Sequence, residues 1–582
     1  MPSKRKLDLP PAEIYKAAKL ASNGNGSRHA QVEEDDDLEA GPPPPPEDDD
    51  GDYGPSAPPE NDDGDDEEGR FFGGGITEQE KEVLDFMDSN QQSAVIDAAP
   101  ETIDASWLKK TALSFEKKIS RNAELRAKFE SDPSKFIDSE ADLDSAIKSL
   151  SILSDHSGLY PTFAKLGSAG SLVSLLAHEN TDIAIDAVEI LSELTDQDVA
   201  ASESDWSSLV NACLEADLLG LLVSNFSRLD EKIESDREGV YHALSLLENL
   251  CSSPSICDKV GSDSALLQYL LSRISANESP ITQNKQYSAE ILAILVSSSL
   301  PNRSAFCQLN AVDLLLQQIA PYRKRDPDKS VSSYEVEFIR NSFESLSSLV
   351  SSPDGKAKFL EAEGVELCLI MLKNGGPKIT KPSSLRLLDH ACAFSPEVAS
   401  KIVAEGGLKT VFTLFMKNKT SVGATTEHLV GIFASMLRFL PADTPERIRT
   451  LAKFVEKDYE KLVKLVGLRR EYASRLEIIE RSIQDEAKGL SKEEKEEIED
   501  EFFSRRLDAG LFCLQTIDVV LAWLIAEDDG ARDKIRSLLA DRDEDFGVLK
   551  RTIQEQMKGV DVGTEEGRET KEMLGTLVKF LV

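Results

Sequence analysis

The chain has 582 residues, 40% of them hydrophobic, and 105 Asp and Glu against 66 Lys and Arg leave a net charge of −39. That length calls for several domains or an elongated repeat array, and the charge argues against a direct grip on nucleic-acid phosphates and favours basic partners. Seven dispersed Cys with no Cys-x-x-Cys pair fit a reducing compartment, no apolar run approaches a membrane span, and the first 25 residues lack a secretory core.

Residues 1–76 are predicted to be a disordered acidic, Pro-rich tail. From Val32 to Gly69 there are 18 acids and no Lys or Arg, and "GPPPPPEDDDGDYGPSAPPENDDGDDEEG" cannot bury enough apolar surface to offset its ordering entropy. Residues 1–69 sum to −14, so 70–582 hold −25 and are acidic in their own right. Ahead of the acids, Lys4, Arg5 and Lys6 have the spacing of a short nuclear-import signal. By spacing alone, a solvated tail fits as well.

Order is predicted to start at "ITEQEKEVLDFM", where Thr77 and Glu80 have the spacing of a capping box. Residues 77–166 read as N-terminal capping helices. From 167 to 440 the chain repeats itself. Apolar blocks begin at Leu172, Leu218, Leu266, Val312, Val365 and Leu408, in steps of 46, 48, 46, 53 and 43 residues. Each block crosses a polar turn into a second apolar helix, and such a period with two or three helices per unit points to armadillo or HEAT repeats. Gly170, Gly364 and Gly407, just ahead of the blocks, are expected to serve tight turns between helices. "APYRKRDPDKSVSSYEVEF" lengthens the fourth unit, and its basic loop 322–329 is either a solvated loop or a contact for RNA or an acidic partner.

Residues 441–582 read as a C-terminal helical domain that closes the solenoid. Its first segment, "PERIRTLAKFVEKDYEKLVKLVGLRREYASRLEIIERSI", is highly charged with the narrow apolar stripe of a coiled coil. The fold class expected is therefore all-α: a right-handed superhelical solenoid with N-terminal capping helices and a C-terminal helical domain.

Catalytic patterns are missing. There is no phosphate-binding loop of the G-x-x-x-x-G-K-[ST] type, no G-x-S-x-G elbow, and no H-x-x-x-H pair for zinc among the six His. "LLDHACAF" puts Asp389, His390 and Cys392 together, but neighbours on one helix point in different directions. The chain is read as a non-enzyme with no cofactor and no metal.

Binding is the better class. In "VEILSELTD", Glu189 and Glu193 share a helix face, where two like charges cost a few tenths of a kcal/mol. In an armadillo unit the third helix lines the concave groove, and the core pair Leu191 and Leu194 puts the two glutamates at groove positions. Core pairs Leu247/Leu250, Leu292/Leu295 and Leu346/Leu349 assign the same positions to Ser245 and Asn249, Glu290 and Ile294, and Glu344 and Ser348. Import receptors of the importin-alpha type carry a Trp–Asn ladder there, so that alternative lacks its main feature. Glu189, Glu193, Asn249, Glu290 and Glu344 are the candidate groove residues. Solvated charge that keeps a long helical protein soluble is the competing reading of each glutamate.

Four segments resemble the beta-catenin-like protein 1 family: "WLKKTALSFEKKISRNAELRAKFESDPSKFIDSEADLDSAI" (107–147), "HENTDIAIDAVEILSELTD" (178–196), "GLKTVFTLFMK" (407–417) and "DEFFSRRLDAGLFCLQ" (500–515). The likeness runs from about residue 77 to the C-terminus. It implies a nuclear armadillo scaffold of the spliceosome that accompanies the Prp-nineteen-type complex, recognises basic, nuclear-localisation-like segments of splicing factors and self-associates as a homodimer. It also favours Lys4 to Lys6 as an import signal. No strong direct nucleic-acid binding and no membrane association are expected.

Overall fold

In the computed structural model the described residues are 102–327, 333–373, 375–418, 423–488, 494 and 498–582. The acidic tail, the Lys4–Lys6 cluster and the Thr77 cap lie outside them, as does part of the basic loop. Every described element is a helix; no strand occurs among the described residues.

Six helix triads follow one another. Their first helices are Tyr160–Lys165, Glu203–Glu215, Pro254–Val260, Leu300–Gln308, Pro353–Glu361 and Pro396–Ala404. The second helices carry the apolar blocks found in the sequence, and Leu172, Leu218, Leu266, Val312, Val365 and Leu408 are all buried. The third helices are α2 (Thr181–Thr195), α3 (Glu234–Leu250), α4 (Gln283–Ser298), α5 (Ser333–Leu349), α6 (Thr380–Cys392) and α7 (Ala424–Phe439). Ahead of them α1 (Ile137–Ser149) packs on α2. Behind them α8 (Leu511–Glu527) packs on α7 and α9 (Glu565–Phe580) on α8. These nine helices form one ladder, each touching the next. Successive third helices approach one another more closely than successive second helices do, which makes the ladder the inner layer of a curved stack.

Local sequence explains the repeat. Ser352 and Ser395 cap first helices by accepting from the amides of Gly355 and Val398, each at 3.2 Å, and Pro353 and Pro396 take the first helical position, which needs no amide donor. The turn from first to second helix passes through a left-handed residue at Gly167, Asp217, Asn310, Glu363 and Gly406, with φ from 56° to 80°. The turn residue therefore precedes Gly364 and Gly407, contrary to the sequence expectation. Those two glycines answer a space requirement: a Cβ on Gly364 would lie 2.2 Å from the Phe359 ring, and one on Gly407 2.7 Å from the Ile402 carbonyl oxygen. Gly170 sits inside a helix with ordinary room around it.

One core cluster runs from Leu108 to Leu581. The segment with the coiled-coil stripe, Pro445–Ala487, is interrupted where Lys457, Asp458 and Tyr459 take left-handed φ, and it packs on α8 and on Asp529–Ala540 within the body of the protein. Behind it, fully buried Asp518 of α8 pairs with Arg469 at 2.9 Å.

Candidate peptide-binding groove

The inner face is built by what each ladder helix leaves unpacked. On α2, Ile183, Ala187, Leu191 and Leu194 are buried, while Asp186, Glu189 and Glu193 lie on its remaining side. Glu189 is exposed and opens onto a cavity of about 610 Å³ between α1, α2 and α3. Glu140 and Asp144 of α1, Asp182 and Asp186 of α2 and Glu238 of α3 supply further carboxylates to it, against one lysine, Lys148.

The α1 wall is fixed from behind. Asn122 donates to Ser139 at 3.0 Å and meets His178 Nε2 at 3.0 Å, and Arg126 pairs with Glu140 and Glu179. Within the cavity, Lys148 pairs with Asp144 and lies 3.4 Å from Asp186. Burial, then the hydrogen bond with Asp144, pushes the Asp186 carboxyl up to about 7. Asp144 is held below its usual range, first by that same hydrogen bond. The two acids therefore share one proton, which is released as the pH passes through neutrality.

The predicted groove residues divide. Glu193 is half-buried and accepts from Ser151 at 2.5 Å and Ser154 at 3.4 Å, so it braces the segment behind α1 while Glu189 faces the cavity. Asn249 is buried, and its amide donates to the Ser192 carbonyl at 2.9 Å and to Thr195 at 3.3 Å, tying α3 to α2. Glu290 is half-buried on α4 and accepts from Gln286 at 2.7 Å, and Glu344 is half-buried on α5.

Sequence reasoning missed a tyrosine cluster between these positions. The rings of Tyr241 and Tyr287 are 5.3 Å apart, and Tyr287 donates its hydroxyl to Glu248. Burial raises the Glu248 carboxyl and the Tyr241 hydroxyl; Glu290 adds to both shifts, and Tyr334 adds to that of Tyr241. Tyr241 and Tyr334 are 37% and 38% exposed, so aromatic faces and carboxylates stand together on the floor. Rings beside acids suit the alkyl stems and cationic heads of Lys and Arg. Extending the groove register one turn toward the N-terminus reaches Tyr241 and Gln286, the signal that could have found them. The same step reaches exposed Arg340, which pairs with Glu337 at 3.0 Å.

The three tryptophans lie on Ala105–Lys128, Glu203–Glu215 and α8, none on α2 to α7. Asp389 pairs with His428 of α7 at 3.0 Å, and Cys392 is fully buried, its thiol pushed up by desolvation. The Asp389–His390–Cys392 run thus assembles no activated thiol.

Stacked triads whose third helices line an acidic inner face define an armadillo-type solenoid. The chain belongs to the catenin-beta-like family of Arm-motif-containing nuclear proteins, whose family model matches residues 81–554. It is 38% identical over 509 residues to the beta-catenin-like protein 1 homolog of Schizosaccharomyces pombe, covering 87% of each chain. It is 35% identical over 497 residues to beta-catenin-like protein 1 of Homo sapiens, covering 82% of this chain and 86% of the human one. Among solved structures, an engineered protein aligns with 79% of this chain and 99% of its own at 14% identity and a TM-score of 0.45. A designed armadillo repeat protein aligns with 46% of this chain at 13% identity and a TM-score of 0.34.

Proposed function

We propose that the protein is a non-catalytic nuclear scaffold of the spliceosome that binds Lys- and Arg-rich, nuclear-localisation-like segments of splicing factors along its inner face. The observation that carries this reading is the cavity at Glu189, where six acidic side chains face one lysine, Glu140 being paired as well with Arg126 behind it. Family membership supports the nuclear setting, and the Tyr241–Glu248–Glu290 cluster offers a second basic-residue seat between α3 and α4. Single exposed ion pairs contribute about 0.2–1 kcal/mol, so affinity comes from several acting together.

A pull-down from nuclear extract, with the bound proteins identified by mass spectrometry, tests the partner class. Subunits of the Prp-nineteen-type complex are the expected catch. Recovery of nuclear-pore proteins in their place would favour transport. Changing Lys4, Arg5 and Lys6 to Ala is expected to reduce nuclear accumulation of a fluorescent fusion, and an unchanged distribution would remove the import role of that cluster. Self-association belongs to the same reading, and a constant monomer mass by light scattering across a dilution series would remove it.

A further inference from the structure

The groove register assigned to α2–α5 continues onto the next two ladder helices. The core pair Leu388/Ala391 of α6 places exposed Arg386 and half-buried His390 at groove positions, and Phe433/Met436 of α7 places Gly431 and Ser435 there. The character changes: His390, Gly431 and Ser435 open onto a cavity of about 550 Å³ that α8 and α9 close on the far side.

The wall of this cavity is aromatic. Phe394, Phe439 and Phe512 line it, and Phe394 and Phe512 are 47% and 60% exposed. Isolated exposed apolar side chains are ordinary, but a contiguous exposed patch in a concavity marks a binding surface. The patch is also preorganised. The Phe394 and Phe439 rings stand 5.3 Å apart, with the Arg438 guanidinium 4.9 and 4.8 Å from their centroids. Arg438 is held by its hydrogen bond to Thr570 of α9 at 2.9 Å. Phe394 is kept at φ 54°, a left-handed conformation that a bulky residue adopts only when its surroundings hold it there. The side-chain oxygen of Gln556, buried at the same cavity, has no hydrogen-bond partner among the described residues and can accept from an incoming amide. On the repeat side of the mouth stand Glu427 and Asp389, the latter paired with His428 at 3.0 Å.

We propose that this cavity is the anchor site for one bulky apolar side chain of a bound protein segment whose adjoining Lys and Arg residues lie along the acidic face. The proposal rests on the groove reading for the basic part of the segment and adds the apolar part. Continuity of register joins the two surfaces, and the Glu427 carboxylate at the mouth favours a cationic neighbour for the anchor. Ladder helices lie about 8–10 Å apart and an extended peptide advances about 3.3 Å per residue. The three helix steps from Glu290 on α4 to α7 therefore separate the anchor from the nearer basic-residue seat by about eight residues.

The test uses the full chain and fluorescence anisotropy with three peptides. One has only alternating Lys and Arg. The other two add a Gly/Ser spacer of about eight residues and a terminal Phe, at one end or the other. One anchored peptide is expected to bind about ten-fold tighter than the basic peptide. Phe512→Ala and the cavity-filling Ser435→Trp should abolish that gain and leave the basic peptide unaffected, with thermal melts confirming that both variants fold. Phe512 is 60% exposed, so its removal leaves the core intact. No gain in either orientation, or a gain that survives both variants, overturns the anchor site. The groove reading fails separately: if the basic peptide does not bind while an anchored one binds in a Phe512-dependent way, the anchor site stands and the acidic face does not.

Discussion

Asp186 and Asn249 illustrate how single side chains in the inner layer take different duties. The Asp186 carboxyl, pushed up to about 7, holds a proton that a cationic ligand would displace. A bound cation favours the ionised acid, so affinity for a Lys/Arg peptide is expected to rise modestly, by a few-fold, between about pH 6 and 8. Asp186→Asn should flatten that rise, and an unchanged pH slope in the variant would place the linked proton elsewhere. The same raised pKa acts on the fold with the opposite dependence: this group's stabilising contribution is full below its ordinary carboxylate range and is lost as the pH climbs through about 7. Asn249 answers to stability. Its amide is spent on α2 carbonyl and hydroxyl oxygens, so Asn249→Ala is expected to cost about 1–3 kcal/mol in thermal unfolding while Glu189 keeps its surroundings. Sequence register put Asn249 on the groove side because a helical pattern fixes an azimuth only to within about one residue, and at that edge the neighbouring helix α2 buries it.

Elements were legible where the chain repeats a physical requirement. Apolar blocks every 43–53 residues announced the second helices, because each must bury one stripe against the neighbouring repeats. The glycines at the block starts were visible but their purpose was not, since φ and crowding both demand Gly and sequence does not separate them. Gly364→Ala tests the distinction. With the Phe359 ring 2.2 Å from the added carbon, overpacking is expected to cost about 1–3 kcal/mol in chemical or thermal denaturation. A change within about 0.5 kcal/mol would mean that the ring yields. The site was half legible: Glu189, Glu290 and Glu344 follow from register alone. The α1 wall, with Glu140 and Asp144, did not, because residues 77–166 show no repeat and carried no register to extend. The aromatic cavity beyond α6 gathers side chains from Phe394 to Leu574, too far apart in sequence for any local pattern to join them.

At the scale of the whole molecule, residues 70–582 carry −25, and the ladder gathers part of that charge on one inner face. Long-range attraction of this kind raises encounter rates with basic segments and weakens as salt shortens its reach to about 8 Å at physiological ionic strength. The central claim is that this face holds basic peptides through its carboxylates. The most direct measurement is fluorescence anisotropy with a Lys/Arg-rich splicing-factor peptide, for wild type and the double variant Glu189→Lys, Glu238→Lys, both exposed at the α1–α3 cavity, at several ionic strengths. Glu193 is left in place because reversing it would also break its contacts with Ser151 and Ser154. The account predicts about five- to hundred-fold weaker binding by the variant, a flatter salt dependence and an unchanged melting temperature. A variant that binds like wild type and keeps its salt slope would contradict it and return these glutamates to solvated surface.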